Sequence, residues 1–89
     1  VVGSIVARDL TISIGGPPSV HVKESPSAAC GVVFLVTRST RMLRRATTGR
    51  VTSASLSELI VGRNVAVWAD GVLKSCPGQA SALAVEIIE

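Results

Sequence analysis

The stretch Leu59-Ile60-Val61-Gly62-Arg63-Asn64-Val65-Ala66-Val67-Trp68 constrains this chain more than any other. Leu56, Leu59 and Ile60 fall at i, i+3 and i+4, the spacing of one apolar helix stripe. Ser55 and Glu58 stand at capping-box spacing, in which each side chain satisfies a backbone N–H at a helix start. Gly62 follows where a left-handed cap costs little. These signals predict a short helix over residues 52–61. A helix of two turns cannot stand alone in water, so it must lie against something larger. Residues 64–69 then read as a strand, with Val65 and Val67 on one face and Ala66 and Trp68 on the other.

The remaining segments supply that larger body. Residues 2–8 read as a first strand with a kink near Asp9. Leu10, Ile12 and Ile14 alternate with Thr11 and Ser13, the period-2 pattern of a continuing strand. Gly15-Gly16-Pro17-Pro18 stops it as a turn, since glycine allows positive φ and proline cannot donate to a ladder. Val20 to Lys23 is a short second strand, and residues 24–29 form a polar loop. Cys30 to Thr37 is a β-branched apolar run that reads as a buried third strand. Residues 38–50 continue extended around Met42 and Leu43, with Thr47-Thr48-Gly49 as a hairpin-like turn. Asp70-Gly71 is another turn, 72–78 a loop, and 79–88 the last strand, with Leu83, Val85 and Ile87 inward.

Five strands with a short helix between the third and fourth match a five-stranded OB-like Greek-key barrel, mostly β, formed as a single domain over residues 1–89. An SH3-like barrel is the competitor, but it does not take a helix at this point. Barrel closure also removes exposed edges, which suits a chain that is 47% hydrophobic. No apolar run approaches the roughly 18–20 residues of a membrane-spanning helix. The chain opens on Val1-Val2-Gly3 without a recognisable signal peptide, as expected of a trimmed or mature form.

Charge is unevenly distributed. Arg38, Arg41, Arg44, Arg45 and Arg50 fall in a segment with no acidic residue, so 38–50 carries +5. The rest has four basic and six acidic residues, or −2, which makes the total +3. The two cysteines, Cys30 and Cys76, belong to no C-x-x-C pair, and their separation fits one structural disulfide in an exported protein. Two unrelated buried thiols in a cytosolic protein is the competing reading.

Leu59-x-Val61-Gly62-x-x-Val65-x-Val67-Trp68, with Asp70-Gly71-Val72, Ser75-x-Pro77 and Gln79-Ala80, resembles the C-terminal half of an uncharacterised family of small exported bacterial domains. Thr40-Arg41-x-Leu43-Arg44-Arg45 fits that family's Thr-bearing strand before the helix. The similarity covers residues 38–88, and Cys76 stands where the family pattern has an aromatic. The resemblance implies an OB-like fold, often lipid-anchored, and export to the periplasm, cell surface or medium. It brings no activity with it.

Catalytic chemistry finds little support. His21, the single histidine, lies between Val20 and Val22 and so points away from their buried face, with no orienting partner nearby in sequence. No spacing gathers His21, Cys30, Cys76 and a carboxylate into a zinc site. G-x-S-x-G is absent, and Gly15-Gly16 is followed by prolines rather than by a phosphate loop. Trp68 reads as packing between barrel and helix, with a stacking platform as the alternative.

The expectation is therefore a non-enzymatic binding module without cofactor or metal, a monomer or weak homo-oligomer. Its basic patch of Arg38, Arg41, Arg44, Arg45 and Arg50 would contact a protein or an anionic surface ligand. Single-stranded nucleic acid is the alternative, because OB-folds often bind it. That binding uses aromatic stacking, and Phe34 and Trp68 are the only aromatics here. A solvated face that keeps an apolar chain soluble is the plain reading of the arginines.

Overall fold

A computed structural model describes residues 1–9, 18–25, 27 and 30–89. The expected strand continuation at 10–14 and the Gly15-Gly16-Pro17 turn lie outside the described residues. The described chain is mostly β, with strands β1 (Val2–Asp9), β2 (Ser19–Lys23), β3 (Val32–Leu35) and β4 (Arg41–Arg45), followed by β5 (Val51–Ser53), β6 (Asn64–Trp68), β7 (Gly78–Ser81) and β8 (Ala84–Ile88). They form one sheet in the order β5-β4-β8-β6-β1-β2-β3-β7. The pairs β3–β7 and β4–β8 are parallel, and the other ladders are antiparallel.

Three expectations are corrected here. Among the described residues the sheet has eight strands rather than five, and its hydrogen-bonded order ends at β5 and β7 with no ladder joining them, so it is not a closed barrel. The helix expected over 52–61 is a single 3-10 turn, Leu56–Glu58. Its N-terminal residues are taken by the sheet: Val51–Ser53 pair with β4, and the Ala54 N–H continues that ladder to the Met42 carbonyl at 3.1 Å. Too few residues remain to nucleate an α-helix, whose first turn fixes several dihedrals for one hydrogen bond. The capping signal survives in part, since the Ser55 N–H donates to the Glu58 carboxylate at 2.7 Å.

The strand count rises by one because Val51–Ser53 joins the sheet, and by two because two lines of chain break opposite one another. Between β3 and β4, Thr40 turns back on Thr37: its hydroxyl accepts the Thr37 N–H at 2.9 Å and donates to the Ala82 carbonyl at 2.7 Å. Ala82 lies in the gap between β7 and β8. Its N–H reaches the Leu35 carbonyl at 2.9 Å, while the Arg41 N–H reaches the Leu83 carbonyl at 2.9 Å. The half-buried bends are thus stitched together by satisfied backbone groups, as buried polar groups require.

The core collects Ile5, Val20, Val22, Phe34, Val36, Leu59, Val65, Val67, Ala82, Val85 and Ile87 in one cluster. These residues come from β1, β2, β3, β6, β8 and the connecting segments. One sheet without a second layer can bury such a face only by curling around it. A flat sheet of eight strands at about 4.8 Å spacing would be about 34 Å wide and about 10 Å thick. The smallest extent of the molecule is 23 Å, so the sheet is curled.

Leu59 plugs the curl. It is fully buried, with Leu56 and Ala54 packed beside the core, whereas Ile60 and Val61 are exposed. The plug docks where β1 changes register between Ile5 and Ala7. There the Ile5 N–H donates to the Arg63 carbonyl at 2.9 Å, the Gly62 N–H to the Ile5 carbonyl at 2.8 Å, and the Arg8 guanidinium to the Leu59 carbonyl at 2.7 Å. Gly62 has φ 95°, in the turn closed by the Arg63 N–H on the Ile60 carbonyl, a position that favours glycine.

Two inward assignments also change. Leu83 is 48% exposed, and Ala82 takes the inner position instead. Counting back from Ile87 and Val85 in steps of two would place Leu83 inside, but the break between β7 and β8 shifts the alternation by one residue. Trp68 is 50% exposed rather than packed between sheet and plug, because it shares a face with Asn64 and Ala66, opposite Val65 and Val67.

Candidate ligand-binding face

Arg41, Arg44 and Arg45 lie on β4, Arg38 in the turn before it, and Arg50 at the close of the β4–β5 turn. That turn is the expected one: Gly49 has φ 88°, and its N–H reaches the Ala46 carbonyl at 2.8 Å. β4 deals its side chains to two faces. Met42 and Arg44 follow the inner face, where Met42 touches the core and Arg44 forms an ion pair with Glu58 of the 3-10 turn. Arg44 also lies 3.7 Å from a Glu89 carboxylate oxygen. Arg41, Leu43 and Arg45 take the outer face.

Arg45 makes two contacts with Glu86 of β8, at 2.6 and 3.2 Å. Glu86 is 7% exposed, so this fork is what satisfies an otherwise costly buried carboxylate. Its hydrogen bond and charge hold the Arg45 guanidinium above its ordinary value. The five arginines are therefore not one free patch. Arg44 and Arg45 are held by carboxylates from outside the segment, while Arg38, Arg41 and Arg50 make no ion pair among the described residues.

Registry places Arg41 beside an aromatic. Ala84 pairs with Arg41 on one side and with Trp68 on the other. The three therefore form one row across the outer face, with Arg41 and Trp68 about 10 Å apart at two strand spacings. Exposed Leu83 adjoins that row, its N–H bonded to the Trp68 carbonyl at 2.7 Å and its carbonyl to the Arg41 N–H at 2.9 Å. Sequence reasoning assigned Trp68 to the core although the alternation through Val65 and Val67 already put it on the other face.

His21 stands elsewhere, on the outer face of β2. Its Nε2–H donates to the Cys30 carbonyl at 2.7 Å. With Ala7, Arg8, Ser19 and Val33 it lines an open cavity of about 250 Å³. Cys30 and Cys76 are joined as a disulfide, with Cα atoms 5.0 Å apart, as expected. Among the described residues no group of three His, Cys, Asp or Glu side chains is placed to hold a metal. No helix among them is long and apolar enough to cross a membrane.

These features define a small, disulfide-tied, mostly β protein with an arginine-bearing hairpin two strands from an exposed tryptophan. The chain belongs to DUF3221, a family of proteins of unknown function, whose pattern matches residues 36–89, more than half of its length. The match begins at Val36 and takes in the hairpin, the plug, β6, β7 and β8. No curated protein and no solved structure matches the chain.

Proposed function

We propose that this domain is a non-enzymatic binding module, exported and disulfide-tied, whose outer face around β4 meets a protein or an anionic surface ligand. The observation that carries the reading is the row Arg41–Ala84–Trp68, which pairs an exposed guanidinium free of carboxylates with an exposed indole. Arg38, exposed in the turn just before β4, adds positive charge three residues from Arg41. A guanidinium next to an aromatic surface is what contact residues commonly look like, because both give area and directional bonds at modest entropic cost.

An OB-like path of the chain belongs to the same reading. β3 and β4 are consecutive, as are β7 and β8, and both pairs run parallel to one another, with only Ala82 and Leu83 between β7 and β8. With β3–β4 and β7–β8 each taken as one line of chain, the ladders run β1, β2, β3–β4, β7–β8 and β6. Export is compatible with the disulfide, which persists in oxidising compartments.

Heparin serves as the probe polyanion. Retention should fall steeply with salt and drop about tenfold in affinity for Arg41→Glu, while Glu24→Gln leaves it unchanged. Salt-independent retention, or an unchanged Arg41→Glu protein, would remove the anionic-ligand reading. Exposure of Trp68 favours a second reading, binding of single-stranded nucleic acid. With oligo-dT as probe, Trp68→Ala should then cost about 1–3 kcal/mol of stacking, whereas heparin, which has no bases to stack, should lose far less.

A further inference from the structure

β5 is an end of the sheet, and its backbone is set to receive another strand. The Ala46 N–H bonds the Arg50 carbonyl at 2.9 Å and the Ala54 N–H bonds the Met42 carbonyl at 3.1 Å. Hydrogen-bonded and non-bonded pairs alternate along an antiparallel ladder, so Arg44–Thr52 is a bonded pair while Arg45–Val51 and Leu43–Ser53 are not. The N–H and C=O groups of Val51 and Ser53 therefore point off the sheet. Among the described residues they make no backbone hydrogen bond on that side. All three β5 residues are exposed. The other end of the sheet differs: Leu73 closes on Gln79 of β7 in both directions, at 2.7 and 3.2 Å, and covers that edge.

We infer that β5 docks an extended acidic segment of a partner protein by strand addition. The inference rests on the binding reading above and names its partner. Charge selects the occupant. Arg50 stands at the start of β5, and Arg41, one strand in on the outer face, stands near its end. Neither has an ion pair among the described residues, while the carboxylates nearest the hairpin, Glu58, Glu86 and Glu89, already face Arg44 and Arg45. Arg50 shares a face with Ala46, Arg44 and Thr52, whereas Arg41 lies on the opposite one, so a strand with carboxylates on both faces would meet both cations while its backbone pairs with Val51 and Ser53. A second copy of this chain fits poorly, since it would bring two hairpins of the same sign together.

The probe is an acetylated, amidated peptide in which pairs of glutamates alternate with single valines, so that carboxylates leave both faces, added to the ¹⁵N-labelled protein. The Val51 and Ser53 amides should shift and slow in hydrogen exchange, and the Thr52 amide, already bonded to β4, should change little. Ser53→Pro removes one outward donor without touching the β4 ladder, and should weaken binding about tenfold. The same peptide N-methylated along its sheet-facing edge keeps its charge and should bind equally weakly, which gives a test independent of how the variant folds. Binding that leaves the Val51 and Ser53 amides unmoved, or that tolerates N-methylation, overturns strand addition and leaves the cationic-face reading intact. Failure to bind the peptide while heparin still binds does the same. Failure to bind either overturns both.

Discussion

Cys30 and Cys76 stand in register across the leading end of a parallel strand pair. Val32 of β3 is the partner of Gly78 of β7, and each cysteine lies two residues before its strand. The Gly78 N–H reaches the Gly31 carbonyl at 3.0 Å, so the bridge continues the ladder rather than crossing it. β7 is only four residues long and pairs along its length with β3 alone. The covalent link therefore holds a terminal strand that its own ladder holds weakly.

Replacing both cysteines by alanine should cost about 4 kcal/mol, because the bridge closes a 46-residue loop in the unfolded chain. Denaturant titrations of the oxidised protein and the double variant check this at equal m-values. A difference under about 1 kcal/mol would mean that the unfolded state gains little from the constraint.

Leu59→Ala should destabilise by about 2–5 kcal/mol, the range for emptying a fully buried leucine site. Ile60→Ala, one residue on and exposed, should cost far less. Equal losses in a thermal or urea titration would show that the plug does not fill the curl as described.

Arg45→Ala should destabilise more than Glu86→Ala. The first leaves a carboxylate 7% exposed without its fork, and the second leaves a guanidinium 51% exposed that water can serve. The upward shift on Arg45 is that of a base, so the pair's stabilisation is full below the ordinary arginine value and fades only as pH rises through the shifted one. Stability of the native protein relative to Arg45→Ala should accordingly stay level from neutral to mildly alkaline pH. Urea midpoints of the two variants give the order, and the reverse order would refute it.

Gly31→Ala should lose about 1–3 kcal/mol from backbone strain alone. Gly31 has φ 69°, and a Cβ there would lie 2.6 Å from the Val22 carbonyl oxygen and 2.9 Å from His21 Nε2. Gly49→Ala, also at positive φ but facing open space, should cost less. Calorimetry of the pair separates the clash from the φ penalty, and identical shifts in Tm would discount the clash.

Trp68→Ala should destabilise less than Leu59→Ala, since half of the Trp68 surface is already exposed while Leu59 is fully buried. Native Trp68 fluorescence should be readily quenched by acrylamide, and saturating heparin should shield it. A blue-shifted, unquenchable emission would put the indole back in the core.

The β content, the strand assignments around Val20, Val22, Val65 and Val67, the hairpin turn at Gly49 and the pairing of Cys30 with Cys76 were legible in the residues themselves. Alternation, turn chemistry and cysteine count are local signals, and each dictates one face or one bend. What the sequence could not decide was competition between partners for the same backbone. Residues 51–54 carry a fair helix start, yet β4 offers their N–H groups a ladder, and the helix shrinks to one turn. Leu83 fits an inward position until Thr40, far away in the chain, fastens Ala82 and slips the alternation. Five arginines look alike in a row, and only the fold sets Glu58, Glu86 and Glu89 against two of them and leaves Arg41 beside Trp68. Local pattern fixes which way a side chain leaves its own strand; which strand comes to lie next to it is set by closing the core, and that sum runs over the whole molecule.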